Sequence, residues 1–336
     1  MHKSLENSII RKKDKEEKKM KYYAGVDLGG TNTKIGICDA EGKIVSSSSI
    51  KTDSIRGVED TLFRIWTEIQ RQVLEQKIEK EDLQGIGIGI PGPVKNQSVV
   101  GFFANFPWEK NINLQEKMEK ISGVSTKLDN DVNVIAQGEA IFGAARGHRS
   151  SITVALGTGI GGGIFIDGKL ISGMTGAGGE VGHMKLVPDG KLCGCGQKGC
   201  FEAYASATGM IREALSRLYV NKQNALYDKF QGNYEKLEAK DIFEAAAAGD
   251  IFSQEIVDYE AEYLAMGIGN LLNIINPEVI VLGGGIALAK EQILVPIQTK
   301  ISKYALEITL ENLEIKTGVL GNEAGILGAA ALFIVS

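Results

Sequence analysis

Val58, Leu62, Ile65, Ile69 and Val73 recur at intervals of three and four, which predicts an amphipathic helix over residues 57–78. Tyr22 to Leu28, Lys34 to Cys38 and Lys43 to Ile50 read instead as β-rich runs. They are joined by the turns Gly29-Gly30-Thr31-Asn32-Thr33 and Ala40-Glu41-Gly42, so a β-meander is expected. Ile86, Ile88 and Ile90 alternate with glycines in a strand that stops at Pro91-Gly92-Pro93. Asn113 to Ser122 predicts a helix and Thr126 to Leu128 a strand; Asp129-Asn130-Asp131 then begins a helix expected to run to about Ala145. From Ile152, ITVALGTGIGGGIFIDGKLI repeats the order of YAGVDLGGTNTKIGICDAEGKIV: strand, glycine-threonine turn, strand, D/E-G-K turn, strand. Two copies about 130 residues apart predict a duplicated α/β architecture with one ligand-facing turn from each half. Helices are expected over 207–219, over 240–249, and from Phe252 to Asn276-Pro277, where Leu264, Ile268, Leu271 and Ile275 share a face. Glu278 to Leu282 is a buried strand, and Gly283-Gly284-Gly285 leads into a helix expected to reach Tyr304. Leu313 to Val319 and Glu323 to Ile334 close the chain as strand and helix.

A chain of 336 residues is long for one core, so two domains are expected. The expected division is a smaller N-terminal α/β domain over 21–130, completed by the C-terminal helix 322–336, and a larger domain over 131–321. The 42 glycines against 6 prolines argue for tight turns in an ordered chain rather than for disorder. A net charge of −5 argues against a nucleic-acid surface. The opening differs from the rest: residues 1–21 hold eight Lys/Arg and four Asp/Glu, and residues 1–20 read as a flexible charged tail. It lacks the apolar region of a signal peptide, and Met20 stands directly before KYYAGVDLGG, compatible with an alternative-start extension over 1–19. No apolar run approaches the roughly 18 residues that a membrane span needs. Free thiols without an export signal point to the cytoplasm.

Candidate chemistry concentrates between Gly179 and Glu202. Cys193, Cys195 and Cys200 fall within eight residues, and His183 stands ten before the first of them. That spacing suits a tetrahedral Cys3His zinc site of the structural, closed kind. Disulfides are the alternative use of the cysteines, expected in small secreted chains rather than here. Gly194, Gly196 and Gly199 are expected to supply unusual backbone angles for the knuckle. Closure on a metal would draw Glu180 and Glu202 together, where they can bind sugar hydroxyls or serve as ordinary supporting acids. In the first half, the turn after Asp27 lets backbone N–H groups and Thr hydroxyls face phosphate oxygens, with Asp27 placed to hold hydrated Mg²⁺. It matches neither a Walker A loop nor a dinucleotide fingerprint, and such a turn alone is more often a plain hairpin. GFFANFPWEKN carries Asn105 among aromatics, an arrangement suited to a sugar's apolar face and hydroxyls, or simply to anchoring the loop. Asp131 sits where the helix N-terminal partial charge favours a carboxylate, although Asp and Asn are also the standard N-caps. The triple glycine admits a flat ligand such as adenine, or tight strand–helix packing.

With DLGGTNTK, LDNDVN, LGTGIGGGI, GEVGH, CGCGQKGCFEAYAS and VLGGGIA in one order, the chain from about Tyr22 onward resembles the ROK (repressor, open reading frame, kinase) family. The resemblance implies the duplicated actin-like, hexokinase (ribonuclease H-like) fold, two domains about a cleft. It implies that Asp131 is the base taking the proton of a sugar 6-hydroxyl as it attacks the γ-phosphate of ATP. Asn105, Asn130, Glu180, His183 and Glu202 would bind ring hydroxyls, and His183 would also ligate zinc. Gly29, Gly30, Thr31, Thr158 and Gly159 would face the phosphates, with Asn32 and Lys34 beside them, while Gly283, Gly284 and Gly285 take the adenosine. Mg²⁺ would neutralise the β- and γ-oxygens. Repressors of the family carry a winged-helix domain ahead of the sugar domain. About 20 residues precede the first strand here, so the kinase branch is expected. The expected activity is an ATP-dependent hexose 6-kinase with glucose first, N-acetylmannosamine or another hexose next, and a non-catalytic sugar sensor or a non-sugar ATPase as the other classes. A homodimer is the family's habit.

Overall fold

The computed structural model describes residues 20–103 and 106–334. The expected tail therefore lies, Met20 apart, outside the described residues. Strands β1 (Tyr22–Leu28), β2 (Asn32–Asp39) and β3 (Ile44–Lys51) form the antiparallel meander; β4 (Leu83–Ile90) and β8 (Thr126–Asn130) extend it in parallel, in the order β3-β2-β1-β4-β8. A second sheet, β9 (Ser151–Leu156), β10 (Ile160–Ile166), β11 (Lys169–Leu170), β12 (Val279–Gly283) and β13 (Glu314–Thr317), has the matching order β11-β10-β9-β12-β13. The predicted duplication is thus a topological one.

Helix α1 (Val58–Glu75) buries Val58, Leu62, Ile65, Trp66 and Ile69 in the same core as Ile86, Ile88 and Ile90 of β4. The glycines between those isoleucines face the other way, because successive strand side chains alternate. A Cβ on Gly87 would strike the Ala329 carbonyl, and one on Gly25 of β1 the Ile326 carbonyl, so the backbone of the C-terminal helix lies directly on bare sheet. The two-residue alternation of large and absent side chains has a physical purpose: one face carries a conventional core and the other accepts a helix at backbone distance.

Between the sheets runs a helix from Asp131 to Ile141. The order of helices is α2 (Leu114–Ser122), α3 (Asp131–Ile141), α4 (Glu202–Ala205), α5 (Ala207–Leu218), α6 (Ala225–Phe230), α7 (Ala239–Ala247), α8 (Ile251–Ile275), α9 (Glu291–Lys300), α10 (Glu307–Leu310) and α11 (Ala324–Ile334). In α3, Val134 fills the space over Gly89 of the first sheet, while Val132 and Ala136 fill that over Gly161 and Gly163 of the second. Helices α5, α7, α8 and α9 cover the second sheet in a core that includes Phe201, Met210, Ile256, Leu264 and Ile268. Among the described residues no helix is long and apolar enough to cross a membrane.

Three expectations change. Helix α3 stops at Ile141, short of Ala145, because Gly143 and Ala145 both donate to the Glu139 carbonyl and Ala144 to its side chain, which turns the chain. The helix expected from the triple glycine to Tyr304 is broken: Ile286–Ala289 is a short 3-10 turn, Lys290 takes the left-handed φ of 48°, and α9 ends at Lys300. Three short strands, β5 (Val94–Lys95), β6 (Val99–Val100) and β7 (Ile112–Asn113), form a small antiparallel sheet, which sequence patterning did not predict because each strand has only two residues. Its first loop, Asn96 to Ser98, places Asn96 and Gln97 at φ 52° and 54°, and the Ser98 N–H donates to the Lys95 carbonyl at 3.2 Å to close the turn.

Glu260 of α8 is fully buried, and neither carboxyl oxygen has a hydrogen-bond partner among the described residues. Burial pushes its pKa well above the usual carboxyl range, opposed by the Lys191 charge. A folded-state pKa above the unfolded one favours folding below the ordinary carboxyl pKa, and that contribution is lost as pH rises through the folded value. Glu260→Gln should therefore raise Tm, with a gain that grows as pH rises above the ordinary carboxyl range; a gain independent of pH in thermal scans would contradict this.

Candidate active site

Strand β8 runs parallel to β4 with Asn130 opposite Ile90, so the chain leaves the sheet at Asn130 and enters α3 at once. Asn130 is the cap. Its Oδ1 accepts from the N–H groups of Val132 (2.9 Å) and Asn133 (3.3 Å), and its Nδ2 donates to the Gly92 carbonyl at 3.2 Å. Asp129, 4% exposed, accepts from the Asn130 N–H and from Asn133 Nδ2. Asp131 is relieved of the capping role and stands at the first helical position, where its Oδ1 accepts from the Val132 N–H at 3.0 Å. Burial raises its pKa, the Val132 N–H opposes the rise, and the Asp27 charge adds to it. Asp27 is likewise raised by burial, with Lys34 at 3.7 Å pulling it back. Asp27, Lys34 and Asp131 thus share one electrostatic environment.

The turn after Asp27 is braced from beneath. Thr52 Oγ1 donates to the Gly29 carbonyl (2.6 Å), its N–H donates to the Thr31 carbonyl (3.0 Å), and its hydroxyl lies 2.9 Å from that of Thr33. Thr33 and Thr52 are fully buried, whereas Gly30, Thr31 and Asn32 are exposed. Sequence reasoning missed Thr52; the signal available was a polar residue ending the alternating strand β3. The Thr158–Gly159 turn of the second sheet is held by the N–H of Gly157 on the Gly159 carbonyl (3.0 Å), and Glu202 lies against Gly159 while accepting from the Ile160 N–H (3.0 Å). Gly284 has φ 81°, and a Cβ there would strike the Leu156 carbonyl. A cavity of about 370 Å³ takes in Asp27, Lys34, Glu139 and the whole Gly283–Gly285 turn; Gly29, Gly30, Thr31, Asn32, Thr158 and Gly159 are not in its lining.

At the knuckle, one ligand atom each of His183, Cys193, Cys195 and Cys200 lie within 4.8 Å of one another. Cys193 Sγ is 3.8 Å from His183 Nδ1, and the sulfurs of Cys195 and Cys200 are 3.8 Å apart. Ligands on arms of about 2.3 Å at tetrahedral angles lie about 3.8 Å apart, whereas a disulfide needs about 2.05 Å. All four cysteines of the chain are free thiols. The donor set can hold a metal ion. Both flanking carboxylates come to it: Glu180 Oε2 lies 3.8 Å from His183 Nε2, and Glu202 Oε1 lies 3.4 Å from Cys193 Sγ. Gly196 and Gly199 have the expected positive φ of 85° and 77°, but Gly194 does not. The loop is fastened by Lys191, absent from the sequence reading. Its Nζ donates to Glu213 (2.6 Å) and to the Tyr259 hydroxyl (2.7 Å), and its N–H donates to the Tyr204 hydroxyl (2.7 Å). The start of β10 joins the two groups of candidates, since Ile160 bonds Glu202 while Gly161 packs on Val132, next to Asp131.

Asn105 lies outside the described residues. The aromatics around it pack on one another: Trp108 has its ring centroid 5.0 Å from Phe103 and 4.6 Å from Phe106, and its Nε1 donates to the Ser54 carbonyl at 2.8 Å. These rings anchor the loop.

Residues 23–335 match the model of the ROK family. The chain belongs to the ROK family. It is 38% identical to the glucokinase of Thermotoga maritima over 92% of this chain and 96% of that one, and 37% identical to the glucokinase of Halalkalibacterium halodurans over 93% and 94%. A crystal structure of a ROK family glucokinase from Streptomyces griseus, in complex with glucose and AMPPNP, superposes with a TM-score of 0.76 at 34% identity, covering 93% of this chain and 98% of that one. The duplicated sheets are accordingly those of the actin-like, hexokinase fold of ROK kinases.

Removing the Asn130 side chain should cost α3 its cap. Asn130→Ala is expected to lower unfolding free energy by about 1 kcal/mol, measured by urea denaturation; unchanged stability would mean that neither the cap nor the Gly92 bond matters.

Proposed function

We propose that this ROK protein phosphorylates a hexose at its 6-hydroxyl with ATP, and that the hexose is glucose. The observation that carries the reading is the position of Asp131: a half-buried carboxylate at a helix N-terminus, freed from capping by Asn130, beside Asp27 and Lys34. Its elevated pKa makes it a better proton acceptor than an ordinary surface aspartate. As the 6-oxygen attacks the γ-phosphorus, the hydroxyl proton passes to the Asp131 carboxylate, the bridging P–O bond breaks, and ADP leaves with the electron pair. Asp27 would hold a hydrated Mg²⁺, which when bound neutralises the β- and γ-oxygens. Lys34 and the exposed turn of Gly29, Gly30, Thr31 and Asn32, faced by Thr158 and Gly159, would take the phosphates; Gly283, Gly284 and Gly285 would lie against the adenosine.

For the sugar, the donor inventory is specific. Asn130 spends its carbonyl on capping and one N–H on Gly92, which leaves one N–H for a ring hydroxyl. His183 turns Nδ1 to Cys193 and so keeps Nε2, beside Glu180, for substrate. Glu180 and Glu202 would accept from further hydroxyls, and Asn105 would join them.

We assign zinc to the knuckle, in a structural role. Three thiolates and an imidazole suit it, and the 3.8 Å separations fit its bond lengths. Burial pushes the Cys193 thiol up to about 12, so a cation is what would keep it ionised at neutral pH. We read residues 21–130 with 322–336 as the smaller domain and 131–321 as the larger. A cytoplasmic homodimer active in carbohydrate metabolism completes the proposal.

Asp131→Asn should keep the fold and sugar binding while lowering kcat about 10²- to 10⁴-fold. Its Tm at neutral pH should be equal or higher, because an aspartate with a raised folded pKa withdraws stability above that pKa. The assay is ADP release from Mg-ATP against glucose, mannose, fructose, N-acetylglucosamine and N-acetylmannosamine. Preference for another sugar moves the substrate assignment. Absence of turnover with a sugar-dependent rise in Tm replaces the kinase by a sugar sensor.

Cys195→Ser should lose the metal and raise KM for sugar, because Glu180 and Glu202 lose their common support. Elemental analysis showing the same zinc content in the variant, or no zinc in the wild type, overturns the assignment.

A further inference from the structure

Two chain segments cross between the sheets: residues 142–150, from α3 to β9, and residues 318–323, from β13 to α11. One side chain is bonded to both. Glu139, 2% exposed near the end of α3, accepts through Oε2 from the N–H of Ala144 (2.8 Å) in the first crossing and of Val319 (3.3 Å) in the second. Its Oε1 accepts from the Leu320 N–H at 3.1 Å. Both crossings are shaped to receive it. A Cβ on Gly318 would lie 2.7 Å from Glu139 Oε1, and one on Gly143 would lie 2.8 Å from the carboxyl carbon. The Gly318 N–H in turn donates to the Leu282 carbonyl (2.8 Å), so the second crossing is tied to the strand that ends in the Gly283–Gly285 turn.

The placement has consequences at the other end of α3. Asp131 and Glu139 are eight residues apart on one helix, about 12 Å along its axis. Glu139, Gly283–Gly285, Gly318 and Gly321 all border the 370 Å³ cavity that also contains Asp27. A rigid rod that carries Asp131 at one end is thus fastened at the other to the floor of that cavity.

We propose that Glu139 is the clasp of the hinge between the two halves and a positioning residue for phosphoryl transfer: by binding both crossings it sets how far Asp131 stands from the nucleotide when the cleft closes. The second part rests on the kinase reading above; the clasp itself does not. Both Glu139 oxygens are taken by backbone N–H groups of the two crossings, so its loss acts through geometry, which phosphoryl transfer feels strongly because its catalysis is mostly positioning.

The test uses the full chain with Glu139→Gln, whose amide nitrogen cannot accept a backbone N–H, and Gly318→Ala, which keeps every donor but crowds Oε1. Amide hydrogen exchange at Ala144, Val319 and Leu320 should speed up about tenfold or more in both variants, with α1 and α8 protected as before. For Glu139→Gln, glucose KM should stay within about twofold while kcat falls roughly tenfold, and zinc content should not change. Wild-type exchange at the three amides in both variants overturns the clasp, as does protection lost throughout the chain, the mark of a merely structural carboxylate. Faster exchange with kcat unchanged overturns the positioning role. If the wild type turns over no hexose, the kinase reading falls, and the exchange data still decide the clasp.

Discussion

Helix α3 can lie between two sheets only because both sheets are bare where it touches them. Gly89 receives Val134, and Gly161 and Gly163 receive Val132 and Ala136. The same constraint governs α11, whose backbone rests on Gly25 and Gly87 and whose Gly328 would otherwise strike the Val134 carbonyl. Methyl groups at these positions would push the helices off the sheets, and close packing leaves no void to absorb the shift. Everything in the cleft inherits its coordinates from this contact. The N-terminus of α3 delivers Asp131, that of α11 places Gly325 against the Asp27 carboxyl, and the end of α3 brings Glu139 to both crossings. The glycine-rich composition is a record of two helices held at backbone distance as much as of ligand turns.

The cleft also concentrates desolvated acid, with Asp129 buried and Asp27 and Asp131 half-buried. Asp27, Asp129 and Asp131 all have pKa values raised by burial, and the first and third repel each other. A fold optimised only for stability would not keep them. The partners are divided so that Asn130 and Asn133 satisfy the helix end and Asp129, while Asp131 accepts from the Val132 N–H. Asp131 feels burial and the Asp27 charge together, and the resulting upward pKa shift is the condition under which a carboxylate accepts a proton readily.

Much of this was legible in the sequence, for identifiable reasons. Paired glycine-threonine turns, the Cys3His spacing and the 3.6-residue periodicities are local in sequence, and each came out where the pattern put it. What could not be read depends on contacts distant in sequence. Thr52 acts on Gly29 across a strand pairing, Lys191 on Tyr259 across 68 residues, and Glu139 on Leu320 across 181. The early end of α3 and the break at Lys290 belong to the same class, since the amides of Gly143 and Ala145 converge on the Glu139 carbonyl and Lys290 takes a conformation that lysine rarely favours. Asn130 shows a subtler limit. In DND any of three residues can cap, and only the backbone geometry selects the middle one.

The duplication that makes the two sheets alike also makes their turns comparable, and they are not equivalent electrostatically. The Gly29 turn is braced by neutral hydroxyls of Thr33 and Thr52, which leaves its exposed N–H groups without an opposing charge beneath them. The Thr158–Gly159 turn is braced by the carboxylate of Glu202, which also takes the Ile160 N–H. A carboxylate in that place gives the second turn a charged acceptor that the first one lacks. The asymmetry makes the first turn, with Lys34 beside Asp27, the more favourable of the two surroundings for an anion. Under the proposed reading, transfer would run between two turns that differ in this way, with Asp131 at the start of the helix that lies between the sheets.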